Sequence, residues 1–171
     1  MSSSVFGRPP VTLSPGKGLF RNDHVQVAYA TNDIERACGV FRERYGIRDY
    51  RRLEGPLKAG GYIRIELAWA GGLMYELLTA EGPGSACFTS VLPPTGFAIR
   101  HHHLGYFVNG AEEWEALQQE VELEGWKVAH ASSNPGFLSA CIIAAPELGH
   151  YLEYIYPETG GIAFFESVPS S

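Results

Sequence analysis

Two pairs of polar residues stand at one separation in this chain: Gln26 with His103 and Glu76 with Glu153, each pair 77 positions apart (103 less 26, and 153 less 76). A separation shared by two independent positions points to one supersecondary unit used twice. A unit of this size cannot bury its apolar face alone, so the two copies must pack together around a common core. The 171 residues suit one such folding unit and exclude two large independent domains.

The order of elements repeats with the residues. Residues 24–30 (HVQVAYA) alternate as a strand, with His24, Gln26, Ala28 and Ala30 on one face. Asn32 or Asp33 then caps a helix in which Ile34, Ala37, Cys38, Phe41 and Tyr45 recur at helical spacing, and Gly46 ends it. Strands are expected over 50–53, 61–70 and 72–79, the last two joined by a hairpin at Gly71 and Gly72. After a Gly- and Pro-rich linker the order returns: a strand over 101–108, then a helix over 111–124 with Trp114, Leu117 and Val121 on one face. Strands over 126–129, 138–144 and 150–156 follow. The expected organisation is an arm over 1–20, a βαβββ module over 21–80, a linker over 81–100, a second βαβββ module over 101–157 and a tail over 158–171, an α+β chain overall.

Composition narrows the function. A net charge of −6 argues against nucleic acid as a partner, since phosphate binding needs clustered Lys and Arg. The densest basic run, Arg42, Arg44, Arg48, Arg51 and Arg52, reads as a solvated helix end. Cys38, Cys87 and Cys141 form no CxxC pair and read as buried thiols of a reducing compartment. No stretch approaches the ~20 apolar residues of a membrane span, and MSSSVFGRPPVTLSPGKG has no apolar run of signal-peptide length, so the cytoplasm is the expected location.

The chemistry is expected where the repeat concentrates its ligating groups. Glu76 shares a strand face with Met74 and Leu78, and Glu153 with Tyr151 and Ile155. A carboxylate on an apolar face pays several kcal/mol of desolvation unless a cation or hydrogen-bond donor offsets it. Taken singly, Gln26, Glu76 and Glu153 read as ordinary strand residues, and His103 equally as a ligand or a satisfied core histidine; the repeat unites them as a mixed oxygen and nitrogen shell for one divalent metal, Zn, Ni, Co, Mn or Fe. His24 is the alternative to Gln26, being on the same alternating face, although it would break the shared separation.

The segments QVAYATNDIERACGVFRERYGI, MYELL, HLGYFVNGAEEWEALQQEVELEGW and LGHYLEYIYP resemble the opening and closing strands of the vicinal oxygen chelate superfamily, over about residues 23–157. That superfamily includes glyoxalase I, methylmalonyl-CoA epimerase, extradiol dioxygenases, and bleomycin and fosfomycin resistance proteins. The resemblance implies two βαβββ modules forming a cupped mixed sheet around a metal, with Gln26, Glu76, His103 and Glu153 as the ligand positions. A shell of Gln, Glu, His and Glu is similar to that of eukaryotic glyoxalase I, whereas the short chain and the LGHYLEYI ending look more like the epimerase branch. Extradiol dioxygenases use two His and one carboxylate in a longer chain, which sets them apart.

The implied chemistry is a metal-dependent isomerisation, epimerisation or lyase reaction beside a carbonyl of a small organic substrate, with Glu153, or else Glu76, moving the proton. His101, His150 and Tyr151 are candidate substrate-binding residues. A protein of the same fold that sequesters a planar or apolar ligand is the alternative, and a structural or regulatory dimer a third. Homodimerisation is implied by the resemblance, and the apolar segment GIAFFESVP is expected to cover a neighbour or the cup.

Overall fold

In the computed structural model, which describes residues 18–171, one eight-stranded mixed sheet carries four helices. The expected arm lies almost wholly outside the described residues, apart from a 3-10 turn at Leu19–Arg21.

The first module runs β1 (Asp23–Thr31), α1 (Ile34–Tyr45), β2 (Arg51–Pro56), β3 (Tyr62–Ala70) and β4 (Leu73–Glu81). The segment after it carries a single short helix, α2 (Ala86–Thr89). The second runs β5 (Ile99–Phe107), α3 (Ala111–Leu123), β6 (Val128–Asn134), β7 (Leu138–Ala145) and β8 (His150–Pro157), and α4 (Thr159–Glu166) closes the chain. Moved 77 positions on, α1 falls on 111–122 and β2 on 128–133, where α3 and β6 stand. The repeat therefore extends to every element of the module.

Local chemistry sets the boundaries. The Asp33 side chain accepts a hydrogen bond from Arg36 N at 3.0 Å, satisfying a donor that the first turn of α1 leaves free. Gly46, at φ +76°, ends α1 in a left-handed conformation that a side chain disfavours, and its N–H donates to Phe41 O. Arg42, Arg44, Arg48, Arg51 and Arg52 are all exposed, and Arg52 Nε pairs with Glu66 at 2.8 Å.

The strand order is β2-β3-β4-β1-β5-β8-β7-β6. β1 lies parallel to β4 and β5 parallel to β8, while β1 and β5 meet antiparallel at the centre. The modules thus pair within one chain. Two β-bulges interrupt the central seam: Val25 is the extra residue in β1 and His102 the extra residue in β5, and they too are 77 positions apart.

The outer face packs on the helices in two clusters, α1 over Ala68 and Leu77 and α3 over Leu152 and Tyr154. The inner face is concave, and its cavity of about 770 Å³ is lined from all eight strands. The tail turns inward: Trp69 N donates to Pro169 O at 2.8 Å, and Phe165 and Val168 are buried against Leu67, Met74 and Ile155. The apolar C-terminal segment thus covers its own cup. Among the described residues no helix is long and apolar enough to cross a membrane.

Phe165 is 8% exposed and closes one wall of the cavity. Phe165→Ala is expected to lower stability by about 3 kcal/mol through lost apolar burial and the void left behind. Urea unfolding checks this, and a loss below about 1 kcal/mol would mean that α4 is not part of the cooperative core.

Candidate metal centre

The central seam is built for close approach. Ala28 in β1 lies opposite Glu76 of β4 on one side and His103 of β5 on the other. Gly105 in β5 lies opposite Gln26 of β1 and Glu153 of β8. Ala28 and Gly105 are repeat equivalents, so each module places one small residue between two ligand-capable neighbours. A Cβ on Gly105 would stand 2.5 Å from Gln26 Oε1 and 2.7 Å from Gln26 Cβ. Only glycine leaves room for the carboxamide there.

Ligand atoms of Glu76, His103 and Glu153 all lie within 4.8 Å of one another. His103 Nε2 is 3.0 Å from Glu153 Oε2 and 3.9 Å from Glu76 Oε1. Gln26 Nε2 donates a short hydrogen bond to Glu76 Oε2, which brings the fourth side chain into the group. Gln26, Glu76 and His103 are buried; Glu153 is the most open of the four.

Electrostatics separates the two carboxyls. Burial raises the Glu76 pKa to about 7, against the pull of His103 and with the repulsion of Glu153. Burial also opposes ionisation of Glu153, but the charge of the adjacent His103 outweighs it and holds Glu153 below the usual carboxylate range. For His103 burial disfavours the cation, and Glu153 and Glu76 together more than offset it, so its pKa is raised.

At the centre two buried atoms make no hydrogen bond: Gln26 Oε1, and His103 Nε2, which stands 3.0 Å from Glu153 Oε2. An orphaned buried acceptor costs about 1–3 kcal/mol. Two such atoms beside two carboxylates form a donor set of three oxygens and one imidazole nitrogen, which fits a borderline divalent cation. The residues present therefore suit the metal that the fold implies.

The seam bulges decide which way His24 and His101 face. Simple alternation puts His24 on the face of Gln26 and His101 on the face of His103, but an extra residue inserted between each pair turns the earlier histidine to the outer side. His24 Nε2 accordingly contacts Gln26 O at 3.0 Å, and its ring packs on Tyr106 at 5.2 Å. His101 packs on Tyr29 and on His150 at 4.9 Å, and neither His101 nor His150 lines the cavity. Tyr151 stays on the inner side but packs against His102 at 4.9 Å beneath the cavity lining. Sequence reasoning passed over His102, whose side chain is fully buried, and His130, which lines the cavity edge-on to Phe88 at 5.1 Å. It also passed over Gly105, although a glycine inside a strand already signals close approach.

No protein-family model matches the sequence, and no curated protein matches it. Solved structures do. Methylmalonyl-CoA epimerase from Mycobacterium tuberculosis aligns with a TM-score of 0.58 at 15% identity, over 88% of this chain and 97% of that one. The fold is that of this epimerase. A single-residue variant of the Streptomyces coelicolor methylmalonyl-CoA epimerase, in complex with 2-nitronate-propionyl-CoA, shares it at a TM-score of 0.55 and 13% identity, over 80% of this chain and 97% of that one. So does a hypothetical protein from Bacillus halodurans, at 0.56 and 17%, over 80% and 95%. At this identity the likeness establishes the architecture, and the activity has to be argued from the side chains.

Two outcomes follow from the packing and charge of the centre. Gly105→Ala is expected to cost about 2 kcal/mol by overpacking and to displace the Gln26 side chain; unchanged urea stability would refute the close approach. The second concerns pH. The Glu76 pKa is 4.5 when exposed and about 7 when folded, so folding favours its protonated form. That contribution is complete below about 4.5 and is lost as pH rises to about 7; His103, also raised, loses its contribution in the same direction, whereas Glu153, lowered, contributes above the usual carboxylate range and loses its part as pH falls. Because the lowered pKa values of His102, His101 and His130 add stability as pH rises through the same window, the Glu76 part is read as a difference: from about pH 4.5 to about 7 the melting temperature of the metal-free wild type should fall relative to that of Glu76→Gln. Parallel slopes in the two proteins would exclude the Glu76 part.

Proposed function

We propose that the protein is a divalent-metal-dependent enzyme that moves a proton on the carbon beside a carbonyl of a small organic substrate, an isomerase, epimerase or lyase in reaction class. The observation that carries this is the pair of unpartnered buried atoms, Gln26 Oε1 and His103 Nε2, set beside Glu76 and Glu153 within a cavity large enough for a substrate. Gln26, Glu76, His103 and Glu153 would hold the ion. A bound divalent cation would supply positive charge to stabilise the oxyanion developing on the substrate carbonyl.

The chain's own residues divide the remaining tasks. Glu153, ionised and the most open of the four, takes the proton from the carbon next to the carbonyl and returns it. Glu76 is the alternative base, and its higher pKa suits it to holding a proton near neutral pH. Aliphatic walls from Ile63, Ile65, Ile142 and Ile155 exclude water and favour an apolar substrate body. The epimerase likeness supports this reaction class, since those structures have the same fold. The same reading takes the protein as a cytoplasmic enzyme with a homodimer as its expected assembly, although one chain already supplies both modules of the site.

Elemental analysis of untagged protein tests the metal, and deuterium exchange into carbonyl substrates in D2O, acyl thioesters and hydroxyketones included, tests the chemistry. About one metal per chain is expected, lost in His103→Ala, with exchange falling by roughly 10²-fold or more in Glu153→Ala. Undiminished metal in both variants would sink the site. The aliphatic walls favour sequestration of an apolar ligand as the second reading; saturable ligand binding by metal-free protein with no exchange would select it.

A further inference from the structure

We propose that His102 is a positioning residue: it accepts the Nδ1 proton of His103 and so holds that imidazole in the tautomer whose Nε2 lone pair faces Glu76 and Glu153. The inference takes from the proposed function only the role of His103 as a ligand. The hydrogen bonds stand without it.

Successive strand residues normally point to opposite faces, which would keep His102 and His103 apart. The bulge at His102 removes that separation. His102 Nδ1 lies 2.8 Å from His103 Nδ1, and His102 Nε2 lies 2.9 Å from Cys87 O. Donor and acceptor roles then follow in order. A carbonyl oxygen only accepts, so His102 Nε2 carries a proton. His102 is fully buried between Phe88 and Tyr151, where a second ring proton would be a desolvated charge, so its Nδ1 is a bare lone pair. His103 Nδ1 must therefore donate. With Nδ1 holding its proton, the lone pair of the neutral His103 ring lies on Nε2, the atom that faces the carboxylates. The opposite polarity would press a lone pair of His102 Nε2 against the Cys87 carbonyl.

The surroundings fix His102 for this role. Phe88 stacks on its ring at 5.7 Å and 27°, and Tyr151 packs at 4.9 Å. Cys87 and Phe88 both belong to α2, so the one helix between the modules presents the carbonyl and the stacking ring together. In the first module the equivalent bulge residue is Val25, and the equivalent ligand position holds Gln26. A carboxamide has no tautomer to select, so an apolar residue suffices there. The relay occurs in the half that carries the imidazole.

Long-range 1H–15N NMR of the full metal-free chain, at a pH above the last titration of His103, reads the tautomer directly. The expected spectrum has a protonated Nδ1 and a bare Nε2 on His103. His102→Phe keeps the stacking ring and should abolish this preference; His102→Gln, which retains an acceptor and a donor, should restore it. Zn2+ affinity is expected to fall roughly 10–100-fold in His102→Phe and to recover in His102→Gln. A neutral wild-type His103 protonated on Nε2, or a tautomer unchanged in His102→Phe, would overturn the proposal, as would Zn2+ affinity that ignores the change of tautomer. If wild type binds no Zn2+, the proposed function fails, and the wild-type spectrum still decides the relay.

Discussion

The antiparallel seam between β1 and β5 is the constraint on which the rest depends. It joins the two modules, and every candidate ligand lies on one of its strands or on the parallel strand beside it. Four polar side chains can converge there only because Ala28 and Gly105 occupy the positions between them. The seam is therefore at once the centre of the fold and the floor of the site. A change that loosens the pairing for packing reasons would spread the ligands as well.

Placing these groups at the centre carries an electrostatic cost. Two carboxyls, an imidazole and a carboxamide in an apolar cup are costly to desolvate, and the chain offsets this only in part. Gln26 donates to Glu76, His103 draws Glu153 down, and Glu76 responds by holding its proton more tightly. Two lone pairs remain without a donor. Folds tolerate unpaired buried groups where function requires them, so the residual cost is itself the argument for a cation.

Much of this was legible in the sequence, because a repeat converts weak local signals into one strong one. The shared separation prefers Gln26 to His24, and the structure turns the His24 ring to the outer side. The histidine at 101 shows where such reasoning stops. Alternation assumes an uninterrupted ladder, and an inserted residue leaves no mark in composition or spacing. Once His102 is extra, His101 changes face and His102 joins the site. The short α2 was equally hidden, since a Gly- and Pro-rich stretch reads as a linker, yet Phe88 within it is buried and stacks on His102.

The two modules have diverged in a way that follows from their ligands. Imidazole has two nitrogens and must present the right one, which asks for a directional neighbour; carboxamide oxygen asks only for space. The second module accordingly has His102 and a helix-borne carbonyl behind its ligand, and the first has Val25 behind and Gly105 opposite. Each half supplies what the other half's chemistry lacks: Gly105 of the second makes room for Gln26 of the first, while Glu76 of the first lies within 3.9 Å of His103 of the second. Neither module alone contains a complete site. The asymmetry between two copies of one unit, rather than the symmetry that reveals them, is what gives this cup its mixed set of oxygen and nitrogen donors.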